Sequence, residues 1–187
     1  EMRERDWSSD VCSSDLGIKF NIMNYLVPNI PFWCVRKICY RLAGMKIGKA
    51  HILMKVHTDG WKNIIIEDGV CINEFCHLDG RGGLVIKKNA SISVYSKIIS
   101  ASHDSHSPVF QYFEKPVLID EYAWLGANSV VLPGTHLGKG TILAAGSVAI
   151  GKEYSEKTIY SGVPAQKIGK RDIDFQYDLS KWNPYFR

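Results

Sequence analysis

Residues 119–149 read IDEYAWLGANSVVLPGTHLGKGTILAAGSVA. Taken in steps of six from Ile119, the positions are Ile119, Leu125, Val131, Leu137, Leu143 and Ala149, all apolar. Four residues after each of the first five stands a small side chain: Ala123, Ser129, Thr135, Thr141 and Ser147. Glycines gather nearby at Gly126, Gly134, Gly138 and Gly146. An amphipathic helix repeats every ~3.6 residues and a half-buried strand about every two, so a period of six fits neither. It fits a parallel β-helix, in which each hexad makes one short strand and one corner. The apolar side chain fills a narrow prism and the small one packs inside the corner. Glycine turns the chain where a Cβ would clash.

The same register runs upstream. Ile86, Ile92 and Ile98 lead three hexads with Ala90, Ser96 and Ser102 at the small position, and Ile66, Ile72 and Leu78 lead three more. Ile47 and Leu53 start a weaker pair. Three hexads make one coil, so the span 46–154 predicts about five coils. A two-residue slip at Gly80-Arg81-Gly82-Gly83 reads as a bulged turn. Residues 104–118, with Pro108, Pro116 and three aromatics, read as a loop excursion of the kind that usually carries function.

The flanks read as caps on one domain spanning 17–187. In 17–45, Pro31–Leu42 has helical spacing with Arg36, Lys37 and Arg41 on its polar side and Gly44 as a stop. Caps are needed because an open β-helix end exposes core and unpaired backbone. Residues 155–187 form a basic segment and an aromatic tail. The first sixteen residues, polar and unpatterned, resemble translated sequencing-adapter DNA more than protein and are set aside.

A chain of 187 residues suits one domain with a real core, and a net charge of +4 is mild. No basic patch is interleaved with stacking aromatics, which argues against nucleic acid. Five cysteines, at 12, 34, 39, 71 and 76, form no C-x-x-C and suit a reducing cytoplasm. The apolar stretch 20–35 is interrupted by Asn21, Asn24, Pro28, Asn29 and Pro31, too often for a transmembrane helix. Its mixture of aromatics and cations allows contact with a membrane surface, but packing on the first coil is the expectation.

Residues 47–171 resemble the hexapeptide-repeat acyltransferases, most closely the bacterial O-acetyltransferases of sugars and surface polysaccharides. The resemblance is carried by LDGRGG (78–83), SASHDSHSPVF (100–110), YAWLGANSVVLPG (122–134) and GSVAIGKEYSEKTIYSGVPAQKIGKR (146–171). It implies a left-handed parallel β-helix, where general sheet rules alone would favour right-handed crossovers. It also implies transfer of acetyl from acetyl-coenzyme A to a hydroxyl in a direct ternary complex. The enzyme would be a homotrimer with active sites in the clefts between prisms and a sugar or glycan acceptor.

By that resemblance His103 is the catalytic base, since a sugar hydroxyl needs a base poised near neutrality and imidazole supplies one. Asp104 would orient it or shape the loop. His106 has two readings, acceptor contact or a solvated side chain. His136, the last residue of its hexad like His103, is expected to stack on His103 one rung away; it either decorates a corner or tunes the base. Asn73 is an acceptor ligand or a corner Asn, and Asp79 with Arg81 either borders the acceptor cleft or pins a turn. Trp124 faces outward toward the acceptor, the acyl arm or a neighbouring subunit. The Ala127 backbone N–H is the expected oxyanion donor. Ala145 and Gly146 would flank the pantetheine arm, and Lys152, Lys167, Lys170 and Arg171 would meet the coenzyme A phosphates. Ile150-Gly151-Lys152 and Gln166 depart from the family pattern, which bears on how the donor sits.

Two other classes compete. A zinc carbonic anhydrase on this fold needs a pair spaced H-x₄-H, and no two of His51, His57, His77, His103, His106 and His136 have it, so no metal is expected. A non-catalytic scaffold would explain the repeat but not the local asymmetry around His103. Within the acyltransferase reading, N-acetylation of an amino sugar or small xenobiotic is the alternative.

Overall fold

The structure, a computed structural model, describes residues 14–181, with side chains from residue 17 onward. The chain winds through six coils. The first comprises β1 (Lys46–Ile47), β2 (His51–Ile52) and β3 (His57–Asp59). The second holds β4 (Ile64–Ile66), β5 (Cys71–Ile72) and β6 (His77–Asp79), and the third β7 (Leu84–Ile86), β8 (Ser91–Ile92) and β9 (Lys97–Ile98). A ribbon of β10 (Ala101–His103) and β11 (Tyr112–Glu114) then leaves the prism. The fourth coil is β12 (Val117–Ile119), β13 (Trp124–Leu125) and β14 (Val130–Val131). The fifth is β15 (His136–Leu137), β16 (Ile142–Leu143) and β17 (Val148–Ala149). The sixth has β18 (Glu153–Tyr154) and β19 (Thr158–Ser161), and β20 (Gln166–Lys170) folds back antiparallel on β19.

Three parallel sheets result. The first face runs β1-β4-β7-β12-β15-β18, the second β2-β5-β8-β13-β16-β19 and the third β3-β6-β9-β14-β17. Inward side chains stack from rung to rung, one per two-residue strand and a second, Ile64, Leu84 and Val117, on the longer strands of the first face. Ile66, Ile86, Ile119 and Leu137 fill the first face, Ile72, Ile92, Leu125 and Leu143 the second, and Leu78, Ile98, Val131 and Ala149 the third, all buried. The third column shrinks to Ala149, and Tyr154 and Tyr160 close the end edge-to-face, their rings 4.8 Å apart. Their hydroxyls accept the Ile150 and Ser155 N–H groups, so neither phenol is left unsatisfied. The small positions Ala123, Ser129, Thr135, Thr141 and Ser147 are buried as expected.

The register differs from the sequence reading in four places. Six coils form rather than five, because 153–161 continues the solenoid beyond the last clear hexad. In the first coil Ile52, not Leu53, pairs with Ile72 on the inward column. The excursion begins at Ala101, so Ser102 is exposed and Ser100 is the buried small residue. At the other end, Val117 and Leu118 already belong to β12.

The N-terminal cap turns cations as well as apolar residues toward the first coil, with Tyr40 and Ala43 in the core and Trp33 and Cys39 packed against it. After α1 (Ser14–Asn21), which begins inside the segment read as unpatterned, two short helical turns lead to α2 (Trp33–Ala43). The rest of that segment, residues 1–13, lies outside the described residues, as does the end of the aromatic tail. Gly44, at φ +119°, stops α2 by letting Gly44 and Met45 N–H reach back to Arg41 and Tyr40. The cations of α2 point into the solenoid. Arg36 is fully buried and donates to the Ile30 and Ile52 carbonyls, Lys37 to Gly48, and Arg41 to Ile47. The bonds to Ile47, Gly48 and Ile52 satisfy carbonyls of the first coil, which has no preceding rung, and the bond to Ile30 ties in the linker before α2. Val35, Ile38 and Leu42 therefore face outward, Leu42 being 82% exposed.

Replacing Arg36 by Leu strands two carbonyls, each costing roughly 1–3 kcal/mol when buried without a partner. Ile38→Ser on the outer side should change stability by less than about 0.5 kcal/mol. Thermal unfolding followed by circular dichroism would separate the two; equal losses would show that the helix packs on its apolar side.

Candidate active site

The ribbon sets the position of His103. Its register pairs Ala101 with Glu114, Ser102 with Phe113 and His103 with Tyr112, so His103 is the last paired residue before the loop turns. Phe110, at φ +51°, turns its carbonyl to the imidazole, which donates Nδ1–H at 2.8 Å. A neutral ring held this way carries its basic lone pair on Nε2. The imidazole also stacks on Phe110, with centroids 4.1 Å apart and planes 9° from parallel, and meets the edge of Tyr112. The ring is thus oriented by a carbonyl and two aromatics rather than by Asp104. Asp104 instead accepts the His106 N–H at 2.9 Å, shaping the loop, and the His106 side chain is almost fully solvated.

His136 does not stack on His103. Its rung neighbours are Leu118 and Glu153. The sequence arithmetic took the excursion as 104–118, but the chain has already left the coil at Ala101, which removes His103 from the ladder. His136 lies on the first face, its Nε2 3.5 Å from Asp120 Oδ2, the oxygen that Lys87 also reaches at 3.3 Å.

Asp79 and Arg81 form the turn-pinning pair. Asp79 is completely buried and accepts from Arg81 Nε, Nη2 and backbone N–H and from the Ser100 N–H, all at 2.9–3.0 Å. That arrangement occupies both carboxylate oxygens, so Asp79 cannot line the acceptor cleft as expected. Burial works against its charge, but the Arg81 side chain and the two backbone N–H groups outweigh burial and hold the carboxyl below its ordinary value. The turn anchors the foot of the ribbon, since Gly82 N–H donates to Ser100 Oγ.

The remaining expected residues sit on the second face and its far corner. Trp124 faces outward, 45% exposed, and donates Nε1–H to Ser93 Oγ at 3.0 Å. Asn73 donates to the Ile92 carbonyl one rung on, a corner-ladder bond. Ala127 and Ala145 occupy equivalent turns of successive coils, and among the described residues neither N–H has a partner. Gly126 keeps that surface close: a Cβ there would lie 2.5 Å from Ala145 N. His103 lies on the β10–β11 ribbon, which leaves after the third face, whereas Trp124 lies on the second face of the prism.

The cations expected at the phosphates are dispersed. Lys167 and Lys170 lie on the exposed strand β20, while Lys152 precedes β18 with its ammonium over the Tyr154 ring. Arg171 is already engaged, donating to the Tyr122 carbonyl at 2.7 Å and to the Tyr177 hydroxyl, with its guanidinium over Phe175. The chain after it runs back along one corner. Phe175 stacks on Tyr122 and Leu179 N–H bonds Asn89. Phe175 also covers Gly140, where a Cβ would come within 2.2 Å of the ring. Trp124, Ser91, Arg171, Tyr177 and Leu179 line one shallow hollow. Sequence reasoning missed this tail contact, although the alternation Phe175, Tyr177, Leu179 was its signal.

No family model matches the chain. The putative colanic acid biosynthesis acetyltransferase WcaF of Escherichia coli (strain K12) is 31% identical over 139 residues, covering 73% of this chain and 75% of that protein. The chain belongs to the hexapeptide-repeat acetyltransferases. A second acetyltransferase relative, the putative lipopolysaccharide biosynthesis O-acetyl transferase WbbJ of the same organism, is 33% identical over 131 residues, 64% of each chain. Among solved structures, a hexapeptide-repeat acetyltransferase of Vibrio cholerae O1 biovar eltor, in complex with acetyl-coenzyme A, superposes with TM-score 0.78 at 20% identity. It covers 88% of this chain and 93% of its own. A galactoside acetyltransferase bound to coenzyme A gives TM-score 0.67 at 17% identity, over 91% and 92%. The solenoid of this acetyltransferase is the left-handed parallel β-helix that the resemblance implied.

A carboxyl held below its unfolded value stabilises the fold fully above that value, about 3.9, and loses the contribution as pH falls through the folded one. Asp79→Asn should therefore be less stable than wild type at pH 7, with a shallower loss between about pH 5 and pH 3. Urea denaturation across that range measures it. Parallel pH curves would remove Asp79 from the account.

Proposed function

We propose that this protein transfers acetyl from acetyl-coenzyme A to a hydroxyl of a sugar or surface-polysaccharide unit, with His103 as general base. The observation that carries the reading is the His103 imidazole, held by the Phe110 carbonyl at Nδ1 on a ribbon projecting from the prism. Nε2 takes the acceptor hydroxyl proton as that oxygen attacks the thioester carbonyl. The oxyanion of the tetrahedral intermediate meets the Ala127 N–H. Collapse expels the coenzyme A thiolate, and His103 returns the proton to it. The acetyltransferase relatives named for colanic acid and lipopolysaccharide biosynthesis favour a glycan hydroxyl over an amine. The neighbour AntD of Bacillus cereus, an N-acyltransferase seen with dTDP and 3-hydroxybutyryl-CoA, keeps an amino-sugar acceptor as the second reading.

With His103 on the projecting ribbon and Trp124 on the second face, a complete cleft on this reading takes His103 from one prism and Trp124, Asn73 and Ala127 from a neighbour, in a homotrimer. Lys167 and Lys170 remain for the donor phosphates, and the Ala145–Gly146 surface for the pantetheine arm. No helix among the described residues is long and apolar enough to cross a membrane. The apolar outer side of α2 is the surface that would meet a membrane holding the acceptor.

In a thiol-release assay with hydroxyl and amino acceptors, His103→Ala should lower kcat/KM by roughly 10²–10⁴-fold while calorimetric acetyl-coenzyme A binding persists. His136→Asn should leave the pH–rate profile unaltered. Co-assembly of His103→Ala and Trp124→Ala chains should restore part of the activity each lacks alone. Full activity in His103→Ala would end the proposal, and failure of the mixture to recover would end its shared cleft.

A further inference from the structure

Three potential metal ligands meet on the third face, on the two coils that precede the one from which the ribbon leaves. In β3 and β6, on adjacent rungs, His57 pairs with His77 and Asp59 with Asp79. Thr58 points inward and is buried, so alternation sends His57 and Asp59 outward together. The ligand atoms of His57, Asp59 and His77 lie within 4.8 Å of one another. Asp59 Oδ2 is 3.2 Å from His77 Nε2 and 4.0 Å from His57 Nε2. The two imidazoles are 4.8 Å apart and tilted by 35°. His57 Nε2 is shielded from solvent and makes no hydrogen bond, so it is a buried lone pair or proton facing a carboxylate without reaching it.

We infer that His57, Asp59 and His77 bind a divalent cation of the zinc class that ties the first coil to the second. Two imidazoles and one carboxylate are borderline-soft ligands that suit Zn²⁺ over Mg²⁺ or Ca²⁺. Tetrahedral coordination at about 2.0–2.1 Å separates ligand atoms by about 3.3 Å. The Asp59–His77 pair already has that spacing, and His57 Nε2 needs to close on Asp59 Oδ2 by about 0.7 Å, from 4.0 Å. The site is braced: Asn24 clamps Thr58, between His57 and Asp59, by bonding its N–H and its carbonyl, and the edge of Phe20 packs on the His57 ring. The next residue in the column is Lys97, which supplies no ligand, so water completes the shell. The sequence search missed the group because its histidines are one coil apart, not on one strand.

The test is calorimetric titration of ZnCl₂ into full-length protein dialysed against chelator, with Co²⁺ absorption and thermal unfolding in parallel. One Zn²⁺ per chain is expected, with visible tetrahedral Co²⁺ bands and a raised unfolding midpoint. Binding should weaken on the order of 100-fold in both His57→Gln and His77→Gln, each checked for native circular dichroism. The cysteines remain in these variants, so binding that survives in them belongs to thiols and overturns the assignment. Absence of stoichiometric binding to wild type overturns it too. Neither result bears on acetyl transfer, which the assay does not read.

Discussion

The prism is so narrow that each face holds only one or two inward columns of side chains, and much of the rest of the structure follows from that limit. A column such as Ile66, Ile86, Ile119 and Leu137 is continuous because parallel pairing aligns each residue with its counterpart on the next rung. The corners must then absorb all irregularity in the chain. Residues such as Asn89, Tyr122, Asn128 and Tyr95 take positive φ there, a strain that rung-to-rung hydrogen bonding holds in place. Insertions are tolerated only where a corner can open. The 101–116 ribbon emerges at such a corner, and it brings His103 out of the core and into reach of a ligand.

The two ends pose opposite problems. At the last coil the interior tapers and two tyrosines fill it, their hydroxyls turned to backbone amides. At the first coil the unmet groups include carbonyls, so the cap supplies donors as well as apolar mass. Arg36, Lys37 and Arg41 bond to carbonyls there beside the buried Tyr40 and Ala43, and Val35, Ile38 and Leu42 are left outside. A fully buried arginine is costly unless its donors are used, and its bonds to Ile30 and Ile52 meet that condition. Its guanidinium is correspondingly held below its ordinary pKa by burial.

How much could be read from sequence tracked how local each feature was. Hexad period, small corner residues and the helix stop at Gly44 are short-range patterns, and they appear where the residues place them. The orientation of α2 was not legible, because its polar side is defined by carbonyls supplied from the first coil. The His103–His136 stack failed on a three-residue error in where the ribbon begins, since a solenoid register carries such an error into every later comparison. Asp79 looked like a cleft residue until Arg81 and Ser100 were seen to occupy its oxygens. The motif around His103 singled out the candidate base, but the group that holds its ring is a backbone carbonyl, and carbonyls have no signature in sequence.

The tail after Arg171 changes how the molecule comes apart. A solenoid is nearly one-dimensional, and its terminal coil, held by a single neighbour, would ordinarily fray first. Here the segment from Arg171 to Leu179 runs backward from the sixth coil across Gly140, Tyr122 and Asn89, on the fifth, fourth and third. Detaching the last coil therefore strains contacts three coils away. The strand order alone would allow sequential unzipping from the C-terminal end, but the strap makes the C-terminal half a single cooperative unit.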